Sequence, residues 1–534
     1  MSGSREEHRP HTKPVSSLAG SKRIDVPLLA YTAVVVLACG LTLLCRSRQT
    51  TGTWTFPTDD PFIYLQYVKN AAAGHWFEYN IGERSGGMTG LLWFLLLVVV
   101  YAPLRWLGAD PGSLIFVSHF VSTVTTILTL YIAARRLVGK TSAWTLGLCV
   151  APISLLWPQY LWACWGGLEG PLASLVAVFA FATFETAITT REKFMLPGVV
   201  GGLLYAVRPE SVALVFFLAG LFLVFGRSRS FAERRGWVLR YLAVVLATCG
   251  MTAAIYYGFT GFLTPSALIK FDLRAVLRNP AVFLSILAYF QTWIAIIAVL
   301  ALLLLVLVFV SGLPLRAELA VTLSLGLLLL SDIALGIFPN SRDRYLSWMT
   351  PIIATTLLST LGGIQWRFLP KLALSRPCRA VVVGVSIPAV VGFASWYGRA
   401  VFAADARCID DLIVAPAAWI GRNTSRDDVI ASEPIGATKF LNDERSFIDI
   451  VGVTSPIARG TYTDWPKTWS LVEHAGASYF IFYPEALPAS GKPFLEPVAT
   501  FANQSCAFTT GGSAVYRVNR ENLRAYLRTQ TALQ

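Results

Sequence analysis

Two adjacent carboxylates, Asp59 and Asp60, lie shortly after the first long apolar segment of the chain. When such a pair is partly removed from water, one carboxyl group keeps its proton, or the two share a proton or a divalent cation. A carboxylate of this kind can accept the proton of an attacking hydroxyl group. Because Asp is also favoured at helix starts, capping is the competing role. The pair predicts a general base.

The residues after the pair predict a helix lying on a membrane surface, followed by groups that could bind a sugar. Apolar and aromatic residues repeat at helical spacing over 61–73. Beyond them, His75, Tyr79 and Asn80 offer an imidazole, an aromatic ring and an amide. Aromatic residues also anchor proteins at membrane interfaces, and a structural role is the alternative for His75.

Charged residues interrupt two later apolar stretches. Glu169 lies between two apolar segments, and Arg208-Pro209-Glu210 breaks another. A carboxylate at such depth needs a partner or a function. Arg208 can pair with either glutamate or bind a phosphate. The alternatives are a solvated loop for Glu169 and a purely structural ion pair for Arg208.

Two further cations and a tyrosine flank the last apolar segments: Lys270, Arg344 and Tyr345. Fixed cations stabilise the negative charge that builds up on a leaving group such as a phosphate. Anchoring at the lipid headgroups is the alternative for Arg344.

These residues must be positioned by membrane helices. Of the 534 residues, 55% are hydrophobic and 14% are charged, whereas an ordinary soluble domain has about 25% charged residues. Runs near the length of a membrane span recur along the chain. We predict apolar segments at 26–45, 88–104, 114–134, 142–162, 171–190, 195–207, 211–226, 236–258, 281–310, 317–338, 346–363 and 379–399. The fold class is therefore an all-α polytopic membrane bundle.

The placement of positive charge predicts the orientation. Lys and Arg gather in short loops between apolar segments, which is typical of cytoplasmic loops and not of a nucleic-acid surface, although the net charge is +13. Residues 1–25 form a basic cytoplasmic tail. For the basic loops to share one side, one of the two segments 88–104 and 114–134 must not cross, and the shorter 88–104, which contains Pro103, is the better candidate. About eleven spans remain, besides interfacial helices, and the polar clusters fall on the extracytoplasmic side of the cell membrane.

The chain changes character near residue 404. Apolar runs shorten to strand length, with predicted strands at Val429–Ala431, Ser446–Val451, Ser478–Tyr483 and Ala514–Val518. We predict a membrane catalytic domain over 26–403, with an outer loop at 46–87, and a small extracytoplasmic α/β domain over 404–534. Cys408 and Cys506 are the only cysteines of that domain and are candidates for a disulfide if it is exported, with free thiols as the alternative.

Several short motifs occur together in a fixed order. They are Asp59-Asp60, Gly82-Glu83-Arg84, Thr89-Gly90-Leu91-Leu92-Trp93, Gly167-Leu168-Glu169, Arg208-Pro209-Glu210, Arg344-Tyr345-Leu346, Glu433-Pro434-Ile435-Gly436-Ala437 and Ile448-Asp449-Ile450-Val451-Gly452. In these motifs the chain resembles the GT-C superfamily of polyprenyl-phosphate-dependent glycosyltransferases, and within it the actinobacterial terminal arabinofuranosyltransferase and its bacterial relatives. The resemblance implies a polyprenyl-phosphate sugar donor, arabinofuranose among the candidate sugars, and an envelope glycan or lipid acceptor.

From this resemblance we expect an inverting transferase in which Asp59 or Asp60 is the base. Arg208, Lys270 and Arg344 are expected to hold the donor phosphate. Sugar or acceptor contacts are expected from Glu169, Glu210, His75, Tyr79, Asn80 and Tyr345. No cofactor is required, although a divalent cation at the acid pair is an alternative to a shared proton. A transporter or flippase of lipid-linked sugars and an envelope scaffold are the rival functions.

Overall fold

A computed structural model describes residues 24–141, 144–190, 194–225, 230–263, 347–368, 376–458, 464–503, 506 and 512–532. In chain order, its first helices are α1 (Val26–Thr51), α2 (Asp60–Ala71), α3 (Leu91–Trp106), α4 (Leu114–Thr141), α5 (Trp144–Leu155), α6 (Pro158–Trp165), α7 (Gly170–Thr190), α8 (Met195–Val207), α9 (Val212–Phe225), α10 (Phe231–Thr260), α11 (Thr350–Phe368) and α12 (Arg376–Tyr397).

The helical part is that of a membrane protein. Within the described ranges, five helical stretches are long and apolar enough to cross a bilayer, and the bent pair α5–α6 would make a sixth. The helices α3, α8, α9 and α11 include shorter apolar stretches. The predicted segments 281–310 and 317–338 lie outside the described residues, so the figure of eleven spans stays a prediction.

Helices α3 and α4 start on the same face of the bundle. At the start of α3, the Gly90 amide donates to the Tyr64 hydroxyl group, and a Cβ built on Gly90 would lie 3.3 Å from Cβ of Glu169. Near the start of α4, the Ser118 hydroxyl group donates to the carbonyl of Gly167. The starts of α3 and α4 therefore both lie beside the loop that follows α6.

A sharp break before α7 brings the Glu169 loop to this face. Helices α5 and α6 meet at 76°, because Pro158 at the start of α6 is incompatible with a continuous helix. After α6 the chain turns through Gly167, whose φ is +83°. A Cβ there would lie 2.5 Å from the Phe56 ring, so both backbone angle and space require glycine.

The last membrane helix continues into the C-terminal domain without a break. Helix α12 passes through a π-helical stretch, Gly398–Phe402, into α13 (Ala403–Ile409). A second π-helical stretch, Asp410–Val414, leads into α14 (Ala415–Asn423). The helical run therefore crosses residue 404, and the first strand starts only at Val429.

The C-terminal domain is a mixed sheet with helices, which agrees with the expected small α/β unit. Its elements are β1 (Val429–Ser432), α15 (Gly436–Phe440), β2 (Ser446–Asp449), α16 (Trp465–His474), β3 (Tyr479–Phe482), β4 (Leu495–Phe501), β5 (Ser513–Val518) and α17 (Arg520–Ala532). The strand order is β2-β1-β3-β5-β4. Strand β1 pairs in parallel with β2 and β3, whereas β5 pairs antiparallel with β3 and β4.

Strand β4 is absent from the sequence predictions. Its burial alternates only weakly, with Glu496 and Pro497 exposed, and it lies at the edge of the sheet. Proline is tolerated at sheet edges because an edge strand leaves part of its backbone unpaired. A strand of this kind lacks the apolar run by which β1, β3 and β5 are recognised.

Cys408 and Cys506 form a disulfide, with their Cα atoms 5.1 Å apart. The bond joins α13 to the segment before β5 and spans 98 positions of sequence. It therefore attaches the β-sheet to the end of the membrane bundle, in addition to the chain connection through α14.

We expect the Cys408→Ser variant to destabilise the C-terminal domain by about 4 to 5 kcal/mol, because closing a loop of about 100 residues removes that much entropy from the unfolded chain. Chemical denaturation of the purified full-length protein, followed by tryptophan fluorescence, measures the change. Cys45→Ser, at an exposed free cysteine, is the control. Equal stability of the two variants would contradict the assignment.

Candidate active site

Helix α2 has two faces that contact different parts of the protein, and the residues of each face recur at helical spacing. The docking face consists of Asp59, Phe62, Gln66 and Lys69, at intervals of three and four residues, and it contacts the C-terminal domain. The cluster face consists of Asp60, Tyr64 and Tyr67. Since adjacent helical residues point about 100° apart, the two aspartates belong to different faces.

On the docking face, the Asp59 carboxylate binds the start of α15. Its Oδ2 accepts a hydrogen bond of 2.7 Å from the Gly436 amide, and its Oδ1 accepts one of 2.7 Å from the Ala437 amide. A Cβ at Gly436 would lie 2.4 Å from the Asp59 carbonyl oxygen and 2.7 Å from its carboxyl carbon. Glycine is required here because the two backbones approach so closely.

Further along the docking face, Gln66 and Lys69 converge on Asp443. The Gln66 amide donates to the Asp443 carboxylate over 2.7 Å, and Lys69 lies 3.0 Å from its other oxygen. Burial opposes the charge of Asp443, but the hydrogen bond from Gln66 and the charge of Lys69 outweigh it, so the pKa of Asp443 falls below its usual value.

The rest of the first loop adds two contacts to the C-terminal domain. The buried Tyr79 hydroxyl group donates to the carbonyl of Ile435 over 2.8 Å. Asn80 donates to the carbonyl of Phe447 over 2.8 Å and accepts from the Phe447 amide over 3.3 Å. The Asn80 side chain thus makes two hydrogen bonds with the backbone of β2, as the backbone of a neighbouring strand would. The Asn80 amide group, which was expected to bind a sugar, is engaged in these contacts, and the Tyr79 ring packs on Tyr67 with ring centroids 5.3 Å apart.

The cluster face meets the glycine-rich loop 85–90. The Tyr64 hydroxyl group accepts from the Gly90 amide over 2.8 Å and is 2.9 Å from Oγ1 of Thr89. Burial and the nearby charge of Glu169 raise the pKa of Tyr64 well above its usual value. The phenol therefore stays protonated and can donate as well as accept.

Tyr67 and Tyr256 hold the same loop from two sides. The Tyr67 hydroxyl group accepts from the Gly87 amide over 3.0 Å, and the Tyr256 hydroxyl group donates to the carbonyl of Gly86. A Cβ at Gly86 would lie 2.6 Å from the Tyr256 oxygen, and one at Gly87 would lie 2.7 Å from Cγ2 of Thr454. The glycines let the loop pass between α2, α10 and the C-terminal domain.

Next to Tyr64 lies a buried charged cluster of Glu169, Arg208 and Glu210. Nε of Arg208 donates to Oε1 of Glu210 over 2.8 Å and lies 3.5 Å from Oε1 of Glu169. Side-chain exposure is 5% for Arg208, 6% for Glu169 and 13% for Glu210. The two carboxylates outnumber the guanidinium group, so the cluster itself has an excess of negative charge.

One carboxylate oxygen of the cluster has no partner in the part of the chain that the structure describes. This atom, Oε2 of Glu169, is buried without a hydrogen bond. An unsatisfied buried carboxylate oxygen is costly, so it marks a position where a hydrogen-bond donor from a ligand would be stabilised.

Local backbone structure explains the position of Arg208. The residue ends α8 with extended angles, φ −148° and ψ 109°, because Pro209 follows it. The carbonyl group of Arg208 then accepts hydrogen bonds from the amide and the hydroxyl group of Ser211. The break in the helix thus turns the guanidinium group toward the N-terminal end of α7, where Glu169 lies.

A cleft opens beside the cluster between α3, α8 and α10. It is small and open to the surroundings, and its lining includes Thr89, Leu91, Tyr205, Pro209 and Tyr256. Thr89 is the residue that contacts Tyr64, and Pro209 follows Arg208. The mostly apolar cleft therefore leads toward the charged cluster.

The structure brings only some of the predicted site residues together. Glu169, Arg208 and Glu210 form one cluster, and Asp60 lies one helical turn before Tyr64 on the face that meets it. His75 lies apart, with a partly exposed side chain whose Nδ1 is 3.2 Å from Oε2 of Glu78. The predicted residues Lys270, Arg344 and Tyr345 lie outside the described residues.

Sequence reasoning missed Tyr64, Tyr256 and Gly436 as site-forming residues. Tyr64 was assigned only to an amphipathic pattern, and the spacing of Asp60 and Tyr64 by four residues is the signal that relates them. Gly436 belongs to the motif Glu433-Pro434-Ile435-Gly436-Ala437, but no local signal relates Gly436 or Tyr256 to its partner, which is more than 160 residues away. Among the described residues, no group of three or more metal-binding side chains is present.

Comparison with known proteins relates this geometry to an established fold. The family described as "Domain of unknown function (DUF8728)" matches residues 407–521. No curated protein sequence matches the chain.

Solved structures are similar over most of the chain. ArnT from Cupriavidus metallidurans in the apo state gives a TM-score of 0.53 at 12% identity, covering 93% of this chain and 98% of ArnT. ArnT bound to undecaprenyl phosphate gives 0.51 at 13% identity, covering 92% and 98%. The oligosaccharyltransferase of Archaeoglobus fulgidus, tethered to an acceptor peptide, gives 0.49 at 14% identity, covering 86% and 69%. The chain therefore shares the fold of ArnT over most of its length.

The cluster predicts a specific pattern of stability. We expect Arg208→Met to destabilise the protein by about 3 to 5 kcal/mol, because it leaves two buried carboxylates without their cation. Adding Glu169→Gln should recover part of the loss, since one of those charges is then removed. Chemical denaturation of both variants in detergent micelles measures the effect. Additive losses in the double variant would show that the two residues do not interact.

Proposed function

We propose that this protein is a membrane glycosyltransferase that moves a sugar from a polyprenyl-phosphate donor to a cell-envelope glycan or lipid acceptor on the extracytoplasmic side. The observation that carries the proposal is the buried cluster of Glu169, Arg208 and Glu210, which lies next to the helix that begins at the acid pair. Buried charges concentrated at one end of a membrane helix bundle are typical of a functional site.

The reaction is a single displacement at the anomeric carbon of the donor sugar. The acceptor hydroxyl oxygen forms a bond to that carbon while the bond from the carbon to the phosphate oxygen breaks. An aspartate of the pair Asp59–Asp60 takes the hydroxyl proton, and polyprenyl phosphate leaves with the electron pair of the broken bond. One displacement inverts the configuration of the anomeric carbon.

The charges of the cluster indicate which residues bind the phosphate group of the donor. Because Glu169 and Glu210 already neutralise Arg208, a phosphate group near Arg208 requires further positive charge. Lys270 and Arg344 supply it in this proposal, and Tyr345 directly follows Arg344 in sequence. Arg208 then serves both the phosphate group and the orientation of the two carboxylates.

The unsatisfied oxygen of Glu169 suits a sugar hydroxyl group. A hydroxyl group donates one hydrogen bond and keeps its lone pairs for other donors, such as the Tyr64 phenol. The carboxylate group of Glu210 is occupied by Arg208 at one oxygen, Oε1. Glu169 is therefore the cluster residue that we assign to direct sugar binding, with Glu210 supporting Arg208.

The mostly apolar lining of the small cleft between α3, α8 and α10 suits a lipid chain that lies along it. The cleft leads to the charged cluster, so a polyprenyl chain in the cleft would place its phosphate group beside Arg208. The fold shared with ArnT, one structure of which contains undecaprenyl phosphate, supports a donor of this class. In this scheme no metal ion is required, since Arg and Lys side chains neutralise a monophosphate leaving group.

Incubating purified protein with a panel of polyprenyl-phosphate sugars, including an arabinofuranose donor, and an envelope-glycan acceptor tests the proposal. We expect release of free polyprenyl phosphate with at least one donor. Glu169→Gln should lower this rate by about 10- to 100-fold, the cost of losing a charged hydrogen bond. Glu521→Gln, at an exposed position of α17, is the control.

Two results would overturn the proposal. One is full activity of Glu169→Gln, which would show that the cluster does not bind the substrate. The other is an absence of turnover with every donor in correctly folded protein, combined with movement of a lipid-linked sugar across proteoliposome membranes, which would assign the chain to transport.

A further inference from the structure

We propose that the two aspartates have different roles: Asp60 is the proton acceptor, and Asp59 is a positioning residue through which the C-terminal domain forms part of the active site. This inference rests on the proposed function. It assigns a catalytic contribution to a domain whose matching family is described as being of unknown function.

The first argument is the geometry of α2. Asp59 lies on the docking face, where every other member also contacts the C-terminal domain: Phe62 packs on Phe440 with ring centroids 5.7 Å apart, and Gln66 and Lys69 bind Asp443. Asp60 lies on the cluster face with Tyr64. Rotating the helix to bring Asp59 to the charged cluster would separate all of these pairs.

The second argument is the chemistry of the Asp59 carboxylate. Each of its oxygens accepts a short hydrogen bond from a backbone amide of α15. Such donors stabilise the anionic form of a carboxylate and so oppose proton uptake. A base that must take a proton during the reaction would lose this stabilisation, whereas a residue that only holds a structure would keep it throughout.

The third argument is that a second residue of the first loop, Tyr79, binds the same segment of the C-terminal domain as Asp59. The first loop binds Gly436 and Ala437 through Asp59, and it binds the preceding carbonyl, that of Ile435, through Tyr79. The negative charge of Asp59 contributes, after burial, to the raised pKa of Tyr79. Tyr79 therefore keeps its proton and remains a donor to Ile435.

The contact also fixes the first turn of α2. The Phe62 amide donates to the carbonyl of Asp59 over 3.0 Å, so the backbone at Asp59 determines where the helix starts. Asp60 is the next residue. A shift of the C-terminal domain would thus move the base relative to the charged cluster, and a displacement of about 1 Å can reduce catalysis about 100-fold.

Three variants separate the roles. Asp60→Asn should lower kcat by about 100- to 10,000-fold, the usual contribution of a general base, and abolish the rise of kcat with pH. Asp59→Asn, which keeps one acceptor oxygen but loses the other, should lower kcat by about 10-fold and leave that rise in place. Gly436→Ala should reproduce Asp59→Asn, because its Cβ would displace the same carboxylate.

A matched control and a double variant complete the test. Gly250→Ala on α10, where a Cβ meets no atom within 4 Å, should leave kcat unchanged. Combining Asp59→Asn with Gly436→Ala should lower kcat no further than either change alone, since both disrupt one contact. Hydrogen exchange of the 433–440 backbone should be faster in Asp59→Asn and unchanged in Asp60→Asn, which also verifies that Asp60→Asn is folded.

The inference fails if Asp59→Asn loses the pH-dependent rise while Asp60→Asn retains it, or if Gly436→Ala is as active as Gly250→Ala. These results leave glycosyl transfer by the unmodified protein intact. If the unmodified protein shows no transfer with any donor, the proposed function fails instead, and the hydrogen-exchange result still reports on the contact between Asp59 and α15.

Discussion

Burial of the Arg208 guanidinium group constrains the arrangement of the bundle around the site. A guanidinium group that is only 5% exposed requires negative charges beside it, and Glu169 and Glu210 supply them. Glu210 follows in the same turn of chain, but Glu169 comes from the start of a different helix. The ion pair therefore joins the break after α8 to the break before α7. Pro209 creates the first break, and the chain turns through Gly167, at a φ of +83°, in the second.

From this cluster the structure extends outward through α2 to the C-terminal domain. One face of α2 reaches Thr89 and Gly90 beside the cluster, and the other reaches α15. A single short helix thus connects the membrane bundle and the sheet domain. The disulfide between Cys408 and Cys506 and the unbroken helical run through α14 hold that domain at a second point, so its orientation is fixed from two directions.

Much of this architecture follows from local sequence signals. Long apolar runs predict membrane helices, and strand-length runs predict the sheet, because hydrophobic periodicity depends only on neighbouring residues. The motif Arg208-Pro209-Glu210 is recognisable in the sequence because its charged residues interrupt an apolar stretch. By contrast, β4 is not recognisable in the sequence, because its apolar and polar residues alternate only weakly. The sugar-binding roles expected for Tyr79 and Asn80 compete with contacts to residues more than 350 positions away.

The sequence by itself determined the class of protein, the segments that can span a membrane, the residue types able to do acid–base and charge chemistry, and the pairing of an acid motif with a GT-C-like order of motifs. Only the tertiary structure decided which of these residues meet. Asp59 and Asp60 are adjacent and chemically identical in sequence, yet helical geometry sends one toward α15 and leaves the other on the face of Tyr64. The contact of Asp59 with α15 also requires Gly436, because two backbones that are distant along the chain approach closely there.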